Sequence, residues 1–378
     1  MEEITINVCG DFYLNNCFPD LTLISEEILE MFQNSNINII NLESPVTKEI
    51  VENKINKTGP HLNGSSNTFS ILKQLNTHLV TLANNHIMDY GTEGLKNTLM
   101  SCKKNSIDFV GAGLTLKEAQ KPYLMEEDSI KIAILNFAEN EWSIAEQDKA
   151  GANPLDVIKN VKQIKEAKEQ SDIVIVIIHG GHEYYNLPSP RMIKQYRFYA
   201  ENGASVIVGH HPHFISGYEL FNGVPIFYSL GNFLFNKESK YEDWYKGLIL
   251  KLDISNTFKI TWELIPVRQS RSEHVLMFAE GQEKENIIKE IADYSNIISD
   301  ENLLLTAWNQ FLNKQQNQYL EIFSPLNFFG NRFLKSALRR LRLNYKFMKK
   351  RHYNQILNSI RCEAHFNASI GIIKKFLE

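Results

Sequence analysis

Side chains that bind metal ions recur along this sequence, each close behind a run of apolar residues. Asp11 and Glu43 offer carboxylate oxygens, Asn85 offers an amide oxygen, and the other candidates are histidines. The candidate metal ligands are Asp11, Glu43, Asn85, His179, His211 and His213. Mixed oxygen and imidazole ligands suit divalent Mn, Fe or Zn better than they suit calcium or a thiolate-bound structural zinc. The residue types therefore predict a centre for one or two divalent metal ions.

The apolar runs before these residues have the length and composition of buried β-strands. The predicted strands cover residues 4–8, 37–42, 79–83, 131–137, 173–178, 205–208 and 224–230, and the predicted helices cover residues 23–33, 68–75, 95–104, 157–167 and 192–200. This alternation indicates an α/β domain with mainly parallel strand pairing. Two further runs, 247–252 and 258–265, have no helix between them, which predicts that part of the sheet is antiparallel.

The candidate ligands follow the carboxyl ends of the predicted strands, which is where open α/β sheets bind their ligands. Their convergence on one site is therefore predicted. The segment from Gly209 to His213 adds a pair, because the side chains of His211 and His213 point the same way if this segment is extended. Such a pair can reach one metal ion or two adjacent ions.

A series of short motifs resembles a known protein family. The motifs are Gly10-Asp11, Asn41-Leu42-Glu43-Ser44-Pro45, Ala83-Asn84-Asn85-His86-Ile87-Met88-Asp89-Tyr90-Gly91, Val110-Gly111-Ala112-Gly113, His179-Gly180-Gly181-His182-Glu183-Tyr184, Gly209-His210-His211-Pro212-His213 and Tyr228-Ser229-Leu230-Gly231-Asn232-Phe233. Together they resemble the poly-gamma-glutamate capsule synthesis (CapA) family, which is similar to the calcineurin-like metallophosphoesterases. The resemblance runs in order from about residue 4 to residue 268.

The resemblance implies both a fold and a set of metal ligands. The implied fold is α/β, a four-layer α-β-β-α sandwich of the metallophosphoesterase type with a two-metal site at one sheet edge. The implied ligands are Asp11 and His213 for the first ion, Glu43 as the bridge, and Asn85, His179 and His211 for the second ion.

The resemblance also implies a catalytic role and shows one departure. His86 matches the histidine that protonates the leaving group in the phosphoesterases. Many phosphoesterases have a histidine two residues after the first aspartate, where this chain has Tyr13. The first metal site is therefore predicted to be one ligand short. His182 and His210 are predicted to support the site or the fold rather than to bind metal.

Four other residues of the motifs have predicted supporting or substrate-contacting roles, three of them with a structural alternative. Asp89 either orients His86 or caps the helix that begins near residue 91. Glu183 and Tyr184 either contact the substrate or shape their loop. Asn232 is predicted to support a metal ligand.

The final hundred residues read only as helices, predicted at 283–294, 301–312, 332–350 and 353–376. The chain is therefore divided into a CapA-like domain of the metallophosphoesterase fold, residues 1–268, and an all-helical C-terminal extension, residues 269–378. Nine basic residues and no acidic residue lie between Arg332 and Arg351. This basic amphipathic segment either packs on the α/β domain or offers a surface to a membrane, an anionic polymer or a partner protein.

Composition narrows the classes of function and location. Outside the basic segment, 31 basic residues face 44 acidic ones, so nucleic acid is not an expected partner. The four cysteines form no C-x-x-C pair and predict no disulfide framework. The acidic start does not resemble a secretory signal, and no apolar run reaches the roughly 20 residues of a membrane helix. A cytoplasmic location is predicted, with the inner face of the membrane as an alternative.

Two functions remain open at the level of sequence. The first is a metal-dependent hydrolase or transferase that acts on poly-gamma-glutamate or a related anionic capsule or envelope polymer, or on a small-molecule precursor, at an amide or phosphoester bond. The second is a non-catalytic, metal-stabilised scaffold that recruits a capsule-biosynthesis complex.

Overall fold

The structure is a computed structural model that describes residues 3–15, 23–47, 53–271, 275–323, 333, 340 and 349–375. The chain has a mixed α/β fold followed by C-terminal helices. The strands are β1 (Ile4–Tyr13), β2 (Ile37–Leu42), β3 (Leu79–Thr81), β4 (Asp108–Val110), β5 (Ala112–Gly113), β6 (Tyr123–Glu127), β7 (Ile130–Ala138), β8 (Gly151–Ala152), β9 (Ile173–His179), β10 (Val206–His210), β11 (Tyr218–Phe221), β12 (Val224–Phe227), β13 (Asn232–Phe235), β14 (Lys246–Ile254), β15 (Ile260–Gln269) and β16 (Leu276–Phe278). The helices are α1 (Glu26–Gln33), α2 (Thr68–Gln74), α3 (Gly91–Lys104), α4 (Leu116–Ala119), α5 (Val157–Lys168), α6 (Pro190–Glu201), α7 (Gly281–Ser299), α8 (Glu301–Phe323), α9 (Lys350–Arg361) and α10 (Glu363–Lys375).

Two large sheets carry the candidate site. The first has the strand order β16-β15-β14-β1-β2-β3-β4, and β13 also pairs with β1. The second has the order β11-β12-β10-β9-β7-β6. In both sheets the central strands are parallel, whereas β14 to β16 and the edge strands β6 and β11 pair antiparallel. The predicted mixture of parallel and antiparallel pairing is therefore confirmed.

Alternation along the strands sends side chains into separate hydrophobic clusters. Ile6 of β1 and Ile175 of β9 belong to one cluster built from both sheets. Phe32 of α1 belongs to a cluster with the other face of the first sheet, and Tyr196 of α6 to one with the other face of the second. Each fully buried aliphatic side chain contributes roughly 1.5–3 kcal/mol to the stability of the fold. The strands whose ends carry the candidate ligands are therefore held in place by well-packed hydrophobic clusters.

The α/β part of the chain continues past the predicted boundary at residue 268. Strand β16 extends the first sheet by pairing with β15, and Ile287 and Ile291 of α7 lie in the cluster shared by the two sheets. The sequence analysis missed β16 because its three residues are too few to show a periodic pattern. The first helix assigned to the extension thus packs into the core of the preceding domain.

The later C-terminal helices differ from their predicted bounds. The helix predicted at 353–376 is wrong, because Cys362 takes an extended backbone conformation that separates α9 from α10. Trp308 and Phe311 of α8 pack with Ile372 of α10 in a cluster of their own. Most of the predicted helix 332–350, and with it most of the basic segment, lies outside the described residues.

Candidate metal centre

Asp11 reaches the site from within a strand rather than from the loop after it. The predicted strand end at residue 8 is wrong, because β1 continues to Tyr13 by pairing with β13, where Asp11 lies opposite Asn232. A Cβ atom at Gly10 would lie only 2.0 Å from the carbonyl oxygen of Gly231, so the close approach of these strands requires glycine. This pairing is long-range and has no local sequence signal.

The histidine pair after β10 does not lie on an extended segment, contrary to the prediction. His211 has a φ of 96° and His213 a φ of 61°, which are left-handed conformations that cost non-glycine residues about 1–3 kcal/mol each. The two rings nevertheless lie 6.2 Å apart, centroid to centroid. Such strain is typical of functional sites, where the surrounding structure maintains it.

The structure brings the sequence-predicted ligands into one buried cluster. His213 Nδ1 lies 3.2 Å from Asp11 Oδ2, and His213 Nε2 lies 3.7 Å from Glu43 Oε1. On the other side of Glu43, His179 Nε2 lies 3.6 Å from the same carboxylate oxygen. His211 Nδ1 and Asn85 Oδ1 each lie 3.1 Å from His179 Nε2.

Two overlapping groups in this cluster have the spacing of metal ligands. One consists of Asp11, Glu43 and His213, and the other of Glu43, His179 and His211, with the ligand atoms of each group within 4.8 Å of one another. Both groups contain Glu43, which lies between them. The arrangement therefore has room for a shared carboxylate between two neighbouring cations.

Glu43 supplies the clearest evidence that the residues fit a metal ion. Its carboxylate is fully buried, and neither oxygen has a hydrogen-bond partner among the described residues. Burial, with the nearby acids Asp11 and Glu183, raises the pKa of Glu43 well above its ordinary value, although His213 opposes this shift. Folded proteins rarely leave a buried carboxylate without a partner, whereas a cation would satisfy both oxygens.

Asp11 and His213 stabilise each other in opposite charge states. Burial alone would raise the pKa of Asp11, but the hydrogen bond and charge of His213 hold it well below its usual range. Burial alone would lower the pKa of His213, but Glu43 and Asp11 raise it to about 10. Because an imidazole binds metal in its neutral form, a metal ion at His213 would displace a proton.

His86 lies beside this cluster and is held by two other side chains. Its Nδ1 atom lies 2.7 Å from Asp89 Oδ2 and 3.0 Å from Lys57 Nζ, and Lys57 also contacts the Asp89 carboxylate. His86 Nε2 faces Glu43 Oε1 at 4.0 Å. Burial, and then the charge of Lys57, lower the pKa of His86. Asp89 forms no side-chain cap on α3, whose N-cap residue is Tyr90.

The remaining predicted residues surround the cluster in different ways. Asn232 Oδ1 lies 2.9 Å from His213 Nδ1. Glu183 and Tyr184 line a cavity of about 440 Å³ that also reaches His86 and His211. Side chains of α8, α9 and α10 also line this cavity.

The two histidines that were not predicted to bind metal belong to neither ligand group. His210 Nδ1 is 3.9 Å from Asp11 Oδ1, and neither ring nitrogen of His210 has a hydrogen-bond partner among the described residues. His182 packs against Trp308 and Phe311 of α8.

Three site residues were not singled out from the sequence. Asn41 donates a hydrogen bond to Asp11 Oδ1 over 2.7 Å, and Glu141 Oε1 lies 3.9 Å from His211 Nε2. Glu141 follows β7, so the strand-end rule that found the other ligands would also have found it. Lys57 comes from a loop with no motif, and no sequence signal marked it.

The fold and the cluster define the class of protein. It is a mixed α/β protein with a buried group of carboxylates and histidines able to hold divalent metal. The chain belongs to the family of bacterial capsule synthesis proteins (PGA_cap), whose model matches residues 5–237. This match confirms the resemblance that the ordered motifs indicated.

Relatives in the family carry names from capsule and polyglutamate synthesis. The chain is 37% identical to the PGA biosynthesis protein CapA of Bacillus subtilis (strain 168) over 217 residues, which is 57% of each chain. It is 31% identical to the capsule biosynthesis protein CapA of Bacillus anthracis over 250 residues, 62% of this chain and 61% of that one. A probable polyglutamine synthesis accessory protein of Mycobacterium tuberculosis (strain ATCC 25618 / H37Rv) is 27% identical over 268 residues, 65% of this chain and 70% of that one.

The chain thus spans about six-tenths of the length of its two Bacillus relatives. Among the helices that the structure describes, none combines the length and the apolar character needed to cross a membrane.

Proposed function

We propose that this chain is a metal-dependent hydrolase or transferase of capsule or envelope polymer metabolism. Its substrate is poly-gamma-glutamate, a related anionic polymer or a precursor, and the bond is an amide or a phosphoester. The two sheets with a shared core and helices on their outer faces support a four-layer sandwich of the metallophosphoesterase type.

The observation that carries this proposal is the unsatisfied carboxylate of Glu43 between two groups of metal ligands. Asp11 and His213 would hold one ion, and His179, His211 and Asn85 would complete the other side. A bound Mn, Fe or Zn ion supplies Lewis acidity and lowers the pKa of water to about 7. Because Tyr13 takes the place of a further histidine, the first group has fewer ligands than the second.

His86 is the residue proposed to protonate the leaving group. Asp89 and Lys57 hold its Nδ1 side, which leaves Nε2 directed at the cluster. Asp89 keeps the ring oriented, as carboxylates do for catalytic and metal-binding histidines. General acid catalysis of this kind typically contributes 10²- to 10⁴-fold to a rate.

The cavity beside the cluster suits an anionic substrate. Lys57 and Lys314 line it, together with amide side chains such as Gln315 and Gln318. Carboxylates or phosphates of a polymer can therefore be held while the scissile bond lies at the metal centre.

The test compares metal content with activity in matched variants. Purified protein would be loaded with Mn²⁺ and assayed on generic phosphoesters and on gamma-glutamyl peptides. His86→Gln is expected to lose at least 10²-fold in kcat while it keeps its bound metal. The control variant Asp128→Asn, in the turn between β6 and β7, is expected to match the parent. Unchanged activity of His86→Gln would remove His86 from the mechanism.

A non-catalytic scaffold is the second candidate function. Tyr13 in place of a ligand favours it, as does the helical extension that could recruit a biosynthetic complex. Stoichiometric metal without turnover of either substrate class would support the scaffold.

The proposal also covers the location of the protein in the cell and its binding partners. We place the chain in the cytoplasm or at the inner face of the membrane, with the basic segment as its contact to a membrane or partner protein. Sedimentation with anionic vesicles, before and after charge reversal at Lys349, Lys350 and Arg351, measures that contact.

A further inference from the structure

A second cluster of ligand-type side chains lies where the C-terminal helices meet the second sheet. Glu139 and Glu141 follow β7, whereas Cys362 and His365 stand at the beginning of α10. Cys362 and His365 are three residues apart at a helix start, so both can face the same side. The junction thus joins residues more than 220 positions apart in the chain.

The atoms of this cluster have the spacing of metal ligands. One ligand atom from each of Glu141, Cys362 and His365 lies within 4.8 Å of the other two. Cys362 Sγ lies 3.8 Å from Glu141 Oε1 and 3.8 Å from Glu139 Oε2, and the thiol is fully buried.

The two carboxylates of this cluster differ in their ion pairs. Arg191 pairs with the Glu139 carboxylate, but the ion-pair contact that Glu141 makes within the described residues is with His211 Nε2, at 3.9 Å. Burial and the two carboxylates raise the pKa of the Cys362 thiol well above its ordinary value. Without a cation this junction therefore leaves Glu141 beside a neutral thiol, with His211 as its ion-pair contact among the described residues.

Two aromatic rings, those of Tyr319 and His182, lie beside His365 of this cluster. Tyr319 Oη lies 2.6 Å from His365 Nδ1 and holds that imidazole in place, as outer contacts do for metal-binding histidines. The ring of His182 lies 6.3 Å from the ring of His365. His182 is 5% exposed, and its Nε2 atom has no partner among the described residues.

We propose that Glu141, Cys362 and His365 form a second metal site, adjacent to the centre around Glu43 but with ligands of its own. Its thiolate, imidazole and carboxylate ligands favour Zn²⁺, and three protein ligands leave a fourth position open. Binding displaces the thiol proton of Cys362 to solvent and leaves a thiolate on the ion.

The position of this site gives it a structural consequence. An ion there links the segment after β7 to the start of α10, whose His365 lines the cavity beside the metal centre. Zinc binding therefore fixes the C-terminal helices over the cavity. Both sites border the same cavity, since His211 and His365 line it together.

Cobalt substitution distinguishes the two sites, because the centre around Glu43 contains no sulfur ligand. The chelated full-length chain would be titrated with Co²⁺, and the absorption spectrum would be recorded for the parent and three variants. The parent is expected to show a near-ultraviolet thiolate-to-cobalt charge-transfer band that added Zn²⁺ abolishes. Cys362→Ser is expected to lose this band while it keeps the visible cobalt bands of the other centre, which also show that the variant is folded.

Two further variants complete the test. Cys102→Ala removes a buried thiol of α3 and is expected to keep the charge-transfer band. His213→Ala weakens the centre around Glu43 and is also expected to keep the band, so failure of the proposed function would not affect this result. The absence of a thiolate band in the parent, or its persistence in Cys362→Ser, would overturn the second site.

Discussion

Replacing Glu43 by glutamine should have opposite effects on stability with and without metal. In the chelated chain, Glu43 is a fully buried carboxylate with no hydrogen-bond partner among the described residues. Burial raises its pKa, so keeping the group ionised costs free energy once the pH exceeds its ordinary value. An amide carries no such cost, and Asp11 remains to pair with His213.

The expected magnitudes follow from these contacts. An unsatisfied buried polar group costs about 1–3 kcal/mol, more if charged. A buried glutamine without a partner pays the neutral cost as well, so Glu43→Gln should raise the free energy of unfolding of the chelated chain at pH 8 only by the excess cost of the charge, on the order of 1 kcal/mol. Metal at 100 times its dissociation constant stabilises the parent by about 2.7 kcal/mol. The variant lacks the carboxylate shared by both ligand groups, so metal should stabilise it much less than it stabilises the parent. In excess metal the parent should therefore be the more stable of the two proteins.

Urea unfolding at pH 8, in chelator and in excess Mn²⁺, measures both effects. Repeating the chelated series at pH 5 provides an internal control, because the advantage of the variant should shrink as Glu43 becomes protonated in the parent. A chelated Glu43→Gln that is less stable than the parent would refute the reasoning, since Glu43 would then have a stabilising partner without metal.

Three other perturbations have defined outcomes. Lys57→Met removes a charge that lowers the pKa of His86, so the alkaline limb of the kcat profile should move to higher pH, and an unmoved limb would contradict the assignment of His86 as acid. Burial, ahead of a neighbouring carboxylate, raises the pKa of Glu363 to about 7, so chelated protein should lose up to ~3 kcal/mol between about pH 4.5 and pH 7. Glu363→Gln should flatten the dependence of the free energy of unfolding on pH, measured by denaturant unfolding. An unchanged dependence on pH would contradict the assignment to Glu363. Gly10→Ala should destabilise the fold by roughly 1–3 kcal/mol or more, seen as a lower thermal midpoint, because its Cβ would collide with the backbone of Gly231.

The grouping of the candidate ligands was predictable from the sequence because strand ends bring distant residues to one edge. Glu43 follows β2 directly, and His179 closes β9, as periodicity and the strand-end rule predict. The number of residues between Glu43 and His179 says nothing about their distance in space. The order of the strands in the sheets nevertheless brings Glu43 Oε1 and His179 Nε2 to 3.6 Å. Residue type and fold class were therefore enough to assemble most of the cluster.

Structural features that depend on contacts between distant residues could not be predicted from local sequence patterns. The extension of β1 through Asp11 requires β13, which lies more than 200 residues away, and the left-handed backbone at His211 is imposed by its surroundings. Lys57 reaches His86 from an irregular loop that shows no periodicity. Cys362 separates two helices that the hydrophobic pattern joins into one.

The most direct measurement is anomalous diffraction from a Mn²⁺- or Zn²⁺-soaked crystal at the absorption edge of the metal. A peak is expected about 2.0–2.2 Å from a Glu43 oxygen, bordered by His213 on one side or by His179 and His211 on the other. A crystal with full metal exposure in which Glu43 hydrogen-bonds to protein or ordered water, and no peak lies beside it, would contradict the account.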